Sequence, residues 1–179
     1  MTPRYTPTAI ALHWLIAFGI LASFSLGLYM TDLSLSPTKL KLYSWHKWAG
    51  VTLFALIVFR LGWRLTHPAP ALPDTMSPVL RRAANAAHWL LYGLMIAIPV
   101  SGWLMSSAKG FQTVWFGLVP LPDLLAKDAA LGDTLKDVHE FLNFTLLGLV
   151  AIHSAAALKH HFIDRDTVLT RMLPRALKS

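Results

Sequence analysis

The sequence contains no cysteine among its 179 residues. This absence excludes disulfides, thiolate zinc sites, iron–sulfur clusters and covalently attached c-type haem, because all of these depend on cysteine sulfur. Charged residues are also scarce, at 14% of the chain, whereas 55% of the residues are hydrophobic. That combination is unusual for a soluble domain and typical of an integral membrane protein.

Charge is missing from the centres of four long apolar stretches, and each stretch approaches the roughly 20 residues that a membrane-spanning helix needs. We predict helices at about 8–30, 42–66, 80–107 and 134–162. The first is interpreted as a retained helix, since its apolar run is too long for a cleaved signal peptide. The predicted fold is all-α: one integral membrane domain over residues 1–179, built as a four-helix up-down bundle. A connection at 109–133 is expected to contain a short interfacial segment.

The net charge of +7 comes from basic residues that lie at the ends of the apolar runs rather than in a separate basic domain. This placement argues against a nucleic-acid partner and favours membrane lipid. The predicted loops divide the cations ten to six, which places both termini in the cytoplasm. The larger group is Arg4, Arg60, Arg64, Arg81, Arg82, Lys159, Arg165, Arg171, Arg175 and Lys178, and the smaller is Lys39, Lys41, Lys47, Lys109, Lys127 and Lys136.

Histidines are the remaining candidates for metal ligands. His139 and His153 are fourteen residues apart, so in a helix they share a face to within ~40° and lie ~21 Å apart along the axis. One metal ion cannot bridge that distance, and two centres at different depths are therefore predicted. In an up-down bundle, His13 of the first helix lies level with His153, and His46 of the second lies level with His139. Two imidazoles at each depth, without nearby carboxylates, fit haem b better than zinc or di-iron.

Each of these histidines taken alone is equally consistent with a hydrogen-bonding or interfacial residue of a membrane helix. His88 lies at the depth of His13 and His153. It is either a ligand in place of one of them, a neighbour of the inner centre, or an interfacial residue beside Trp89. His160 and His161 end the fourth helix, where a solvated terminus is the alternative to a functional role.

Four segments carry a resemblance to a known family: "YTPTAIALHWLIAF", "WHKWAGVTLFALIVFRLGWRL", "AHWLLYGLMIAIPVSGWLMSS" and "VHEFLNFTLLGLVAIHSAAALKHHFIDRDTVLTRMLP". Together they resemble the bacterial cytochrome b561 family over essentially the whole chain. The resemblance implies two non-covalent b haems in the inner membrane. Carried over by position, the iron ligands are His13 and His153 for the inner haem, and His46 and His139 for the outer haem.

Within the family the chain resembles the superoxide oxidase type, which implies oxidation of superoxide at the periplasmic side and reduction of ubiquinone to ubiquinol. Lys39, Lys41 and Lys47 flank His46 and are candidates for steering superoxide. The alternative is a solvated lysine face whose field is cancelled by the acids on the same side, Asp123, Asp128, Asp133, Asp137 and Glu140. His88, His160 and His161 are candidates for quinone binding or proton supply. The alternatives are an electron-transfer subunit serving a redox partner such as a dehydrogenase or hydrogenase, and a transport or structural bundle without haem.

Overall fold

A computed structural model describes residues 4–73 and 76–174. Within these residues the chain forms four long helices: α1 (Pro7–Asp32), α2 (Pro37–Thr66), α3 (Pro78–Ala108) and α4 (Ala129–Phe162). All four are long and apolar enough to cross a membrane. The predicted all-α membrane bundle is confirmed.

Each helix begins at a polar capping residue. Thr6, Ser36 and Ser77 each precede a proline, and their side-chain oxygens accept hydrogen bonds from backbone N–H groups in the first turn. Asp128 caps α4 in the same way by accepting from Leu131 N. Such caps satisfy N–H groups that have no partner inside the helix. They explain why α2 and α4 each begin five residues before the predicted starts at 42 and 134, since each helix starts at its capping residue rather than at the uncharged apolar span.

Successive helices pack against each other, α1 on α2, α2 on α3 and α3 on α4. Leu12 and Ile16 of α1, Ile57 of α2 and Tyr92 of α3 form one buried cluster. A second cluster joins α3 to α4 through Leu91, Leu94 and Leu146. Large apolar side chains also lie on the outside of the bundle, among them Phe18, Phe59 and Ile152. Membrane lipid is the solvent that suits such a surface.

The end of the bundle that holds the beginning of α1 and the end of α4 is called the inner end, and the opposite end the outer end. At the inner end, the Arg60 guanidinium donates to Ala9 O at 2.5 Å and Trp63 Nε1 donates to Thr6 Oγ1 at 2.9 Å. The segment after α4 folds back across this end, where Trp14 Nε1 donates to Met172 O at 2.9 Å. Arg4 donates to Leu173 O at 2.6 Å.

At the outer end, the connection between α3 and α4 contains a small antiparallel hairpin, β1 (Val114–Trp115) and β2 (Val119–Pro120). Trp48 Nε1 of α2 donates to Val114 O at 2.7 Å. Trp115 Nε1 in turn donates to Thr52 Oγ1 of α2 at 3.2 Å. These bonds fix the hairpin against α2 close to His46.

Candidate functional site: two histidine pairs

The structure brings together the two pairs of histidines that the sequence placed at matching depths. The ring centres of His13 and His153 are 6.3 Å apart, with 61° between the ring planes. Those of His46 and His139 are 6.4 Å apart, with 85° between the planes. All four rings are half-buried, and each pair joins α4 to a different helix.

The spacing within each pair fits an iron atom held between two imidazoles. A histidine nitrogen lies about 2.0–2.1 Å from a bound transition metal, so two such bonds and the two ring radii separate ring centres by about 6.3 Å. Both observed separations agree with this value to 0.1 Å. The residues present therefore fit a bis-histidine haem at each depth.

A cavity between the helices adjoins the outer pair. It has a volume of about 60 Å³ and is lined by side chains of all the helices described here, including His46, His139, Phe24 and Leu53. The mostly apolar lining suits a porphyrin. Gly50 lines the cavity, and a Cβ atom at this position would have no neighbour within 4 Å. The backbone of α2 is thus open to a flat group beside His46.

The Nδ1 atom of each outer histidine meets a hydrogen-bond partner on a neighbouring helix. His139 Nδ1 lies 3.0 Å from Ile98 O and 3.0 Å from Ser101 Oγ of α3. Because a carbonyl only accepts, Nδ1 carries the proton and Nε2 keeps its lone pair for a metal. His46 Nδ1 lies 3.4 Å from Ser23 Oγ of α1.

Sequence reasoning did not identify Ser23, Ile98 or Ser101 as part of this site. Small hydroxyl residues are common in membrane helices, and a backbone carbonyl carries no sequence signal at all. Which of them meets a given ring depends on how each helix is rotated about its axis, and the residue pattern does not specify that rotation.

His88 lies beside the inner pair. Its ring centre is 5.4 Å from that of His153, with 78° between the planes. This separation is shorter than the roughly 6.3 Å expected between the ring centres of two imidazoles bound to opposite sides of one iron atom. The neighbour role is therefore favoured by the distances over the ligand role.

His160 and His161 end α4, outside both pairs. His160 Nδ1 lies 2.7 Å from Asp166 Oδ2 and 3.2 Å from Asp164 Oδ2. The ring of His161 packs edge-on against Phe162, with 4.7 Å between ring centres. Of the two, His160 is held in an acidic environment at the inner end.

The three lysines proposed to steer an anion lie at the outer end, and each has its own local contact. Lys39 Nζ donates to Leu33 O at 2.5 Å, and Lys47 Nζ donates to Phe111 O at 2.8 Å. Lys41 Nζ lies 5.1 Å from the centre of the Trp45 ring. None of these partners is a carboxylate, although Lys47 also lies within electrostatic reach of the Asp123 carboxylate. Lys109, by contrast, is paired with Asp133 at 2.8 Å.

At the inner end, Arg175 and Lys178 of the predicted cytoplasmic group lie outside the described residues. The others include Arg64, which is stacked over Tyr92 at 5.7 Å, and Arg171, which donates to Ala71 O at 2.5 Å.

Comparison with known proteins places these features in a family. Residues 4–175 match the family described as "Prokaryotic cytochrome b561". A protein of Escherichia coli K12 named "Cytochrome b561 homolog 2" is 38% identical over 174 residues, which are 97% of this chain and 93% of that protein. "Probable superoxide oxidase CybB" of Yersinia pestis is 27% identical over 98% of each chain. "Cytochrome b562" of Cereibacter sphaeroides is 28% identical over 96% of each.

Proposed function

The chain belongs to the prokaryotic cytochrome b561 family and is a membrane-spanning electron-transfer protein with b-type haem, and from this premise we propose that it binds two haems. The proposal rests on one observation above all, the separation of 6.3 Å and 6.4 Å between the rings of two histidine pairs at different depths. His13 and His153 are the proposed ligands of the inner haem, and His46 and His139 those of the outer haem. A b haem, when bound, supplies reversible one-electron transfer.

We further propose that the electron donor is superoxide and the acceptor is ubiquinone. Two superoxide ions each lose one electron and leave as dioxygen, while ubiquinone gains both electrons and two protons to become ubiquinol. The likeness to the Yersinia pestis protein named as a probable superoxide oxidase supports this assignment. The positive charges of Lys39, Lys41 and Lys47 at the outer end support it as well, because cations attract an anion.

The inner end supplies groups suited to quinone reduction. His88 packs against His153 and can donate a hydrogen bond to a quinone oxygen. His160, bound to Asp166 at 2.7 Å, stands where α4 meets the inner surface and can exchange protons with water. In this proposal the protein lies in the bacterial inner membrane with both termini cytoplasmic, so the protons come from the cytoplasm.

The experiment is a haem count followed by an activity measurement on the purified full chain. We expect two haems per chain by pyridine haemochrome, and ubiquinol formation that depends on a superoxide source. His46→Ala and His139→Ala should each lose one haem and the superoxide-dependent activity. A chain without haem would contradict the whole proposal, whereas two haems without superoxide-dependent ubiquinol would contradict the choice of donor.

The second candidate is an electron-transfer subunit that exchanges electrons between a redox partner and the quinone pool. One observation favours it: the identity of 38% to the protein named only as a cytochrome b561 homologue exceeds the 27% to the probable superoxide oxidase. Co-purification of a dehydrogenase or hydrogenase with the tagged chain from its own membranes, in the absence of superoxide activity, would support this candidate.

A further inference from the structure

Each histidine of the outer pair contacts a hydrogen-bond partner and a glycine that come from the same neighbouring helix. For His46 these are Ser23 and Gly27 of α1. For His139 they are the Ile98 carbonyl, with Ser101, and Gly102 of α3. Ser23 and Gly27 are four residues apart, as are Ile98 and Gly102. Residues at this spacing lie on one face of a helix, so each pair presents its polar group and its glycine to the same ring.

The glycines leave room that the rings fill. A Cβ atom at Gly102 would lie 3.0 Å from His139 Cε1 and 3.3 Å from its Nδ1. A Cβ atom at Gly27 would lie 3.3 Å from His46 Cε1. Contacts this short require the ring to move, because close-packed interiors have no slack for an added methyl group. The constraint is tighter at His139 than at His46.

The hydrogen bonds are also unequal. The Nδ1–H of His139 lies between two acceptors at 3.0 Å, while Nδ1 of His46 faces the Ser23 hydroxyl at the longer distance of 3.4 Å. An acceptor on this N–H orients the ring and makes the other nitrogen a more basic ligand. A more basic ligand favours the more highly charged, oxidised form of a metal.

We propose that these two helix faces, Ser23 with Gly27 and Ile98–Ser101 with Gly102, position the outer histidines and lower the redox potential of the outer haem. This inference rests on the proposed function, since it requires a haem between His46 and His139. Within residues 4–73 and 76–174, neither His13 nor His153 makes a side-chain hydrogen bond. The inner haem therefore serves as a reference inside the same molecule.

The hydrogen bonds are tested by redox titration of the full-length protein, followed by absorbance, in Ser23→Ala and Ser101→Ala. The outer haem is identified as the component that His139→Ala removes. At a fixed potential we expect the ratio of reduced to oxidised outer haem to rise about two- to tenfold in each variant, the range for one ordinary hydrogen bond. The inner haem should be unchanged, and Ser101→Thr, which keeps the hydroxyl, should restore the value. An unchanged outer potential in both alanine variants, with both haems bound, would overturn the role of the hydroxyl groups.

The glycines are tested by Gly102→Ala, with Gly93→Ala as the matched control. Gly93 lies on the same helix, is exposed, and has no atom within 4 Å of an added Cβ. Gly102→Ala should lose the outer haem or shift its spectrum while the inner haem stays, and Gly93→Ala should keep both. Gly27→Ala should have the same effect in milder form. It keeps the test decisive if Gly102→Ala fails to fold. Normal outer-haem spectra and potentials in both Gly102→Ala and Gly27→Ala would contradict the proposal that these helix faces position the outer histidines. A wild-type protein without two haems would instead overturn the proposed function itself.

Discussion

Among single residues, His88 and His153 make the sharpest comparison, because both lie at the inner pair and only one fits as a ligand. For His88 to coordinate opposite His153, their ring centres would have to separate from 5.4 Å to about 6.3 Å. We therefore expect His153→Ala to lose one haem and His88→Ala to keep two, by pyridine haemochrome on the purified variants. Loss of a haem in His88→Ala, together with retention in His13→Ala, would assign the coordination to His88 instead.

The histidine pairs also show what residue spacing can predict. The fourteen residues between His139 and His153 set two depths, and antiparallel neighbours supplied His13 and His46 at those depths, where the structure finds them. Contacts such as that of Gly102 with His139 could not be predicted in this way. They depend on the rotation and lateral approach of α3, which a sequence of almost uniformly apolar residues does not define.

Among the elements, α2 and α4 differ equally from their predictions, and the start of α4 depends on one side chain. Asp128 accepts from Leu131 N at 3.0 Å, and Gly132 N donates to Asp128 O at 2.9 Å. Replacing a capping aspartate with alanine costs about 0.5–2 kcal/mol of stability. We expect Asp128→Ala to lower the thermal midpoint of the purified protein, followed by circular dichroism, and Asp128→Asn to retain most of it. Equal losses in the two variants would show that the charge matters rather than the cap.

The helix starts explain why apolar patterns underestimate the length of membrane helices. The apolar run of α2 suggested a start near residue 42, yet Ser36 and Pro37 are a capping residue and a proline at the first helical position. Those two signals are local and visible in the sequence. The hairpin at Val114–Pro120 had no comparable signal, because its position depends on long-range bonds to Trp48 and Thr52 of α2.

For the whole molecule, the distribution of charge predicts the orientation in the membrane, and the absence of cysteine makes it easy to test. Leu35, 83% exposed, lies between α1 and α2 at the outer end, and Ile163, 72% exposed, follows α4 at the inner end. In intact cells, a membrane-impermeant maleimide should label Leu35→Cys and leave Ile163→Cys unlabelled until the membrane is opened. The wild-type chain has no thiol and serves as the background control. The reverse labelling pattern would place the termini outside.

The same charge distribution bears on the rate of reaction with superoxide. Long-range steering depends on the summed field of the outer end and raises association rates by about 10–10³ in favourable cases. Replacing Lys39, Lys41 and Lys47 together with glutamine should lower the second-order rate with superoxide about three- to tenfold at low ionic strength. The difference should shrink at high salt, because exposed charges are screened beyond about 10 Å at 0.1 M. A triple glutamine variant of the inner cations Arg82, Lys159 and Arg165 alters net charge equally and should leave this rate unchanged. Equal slowing by both triple variants would show that the rate depends on net charge and not on the position of the lysines. An unchanged rate in the outer variant would show that these lysines do not steer superoxide.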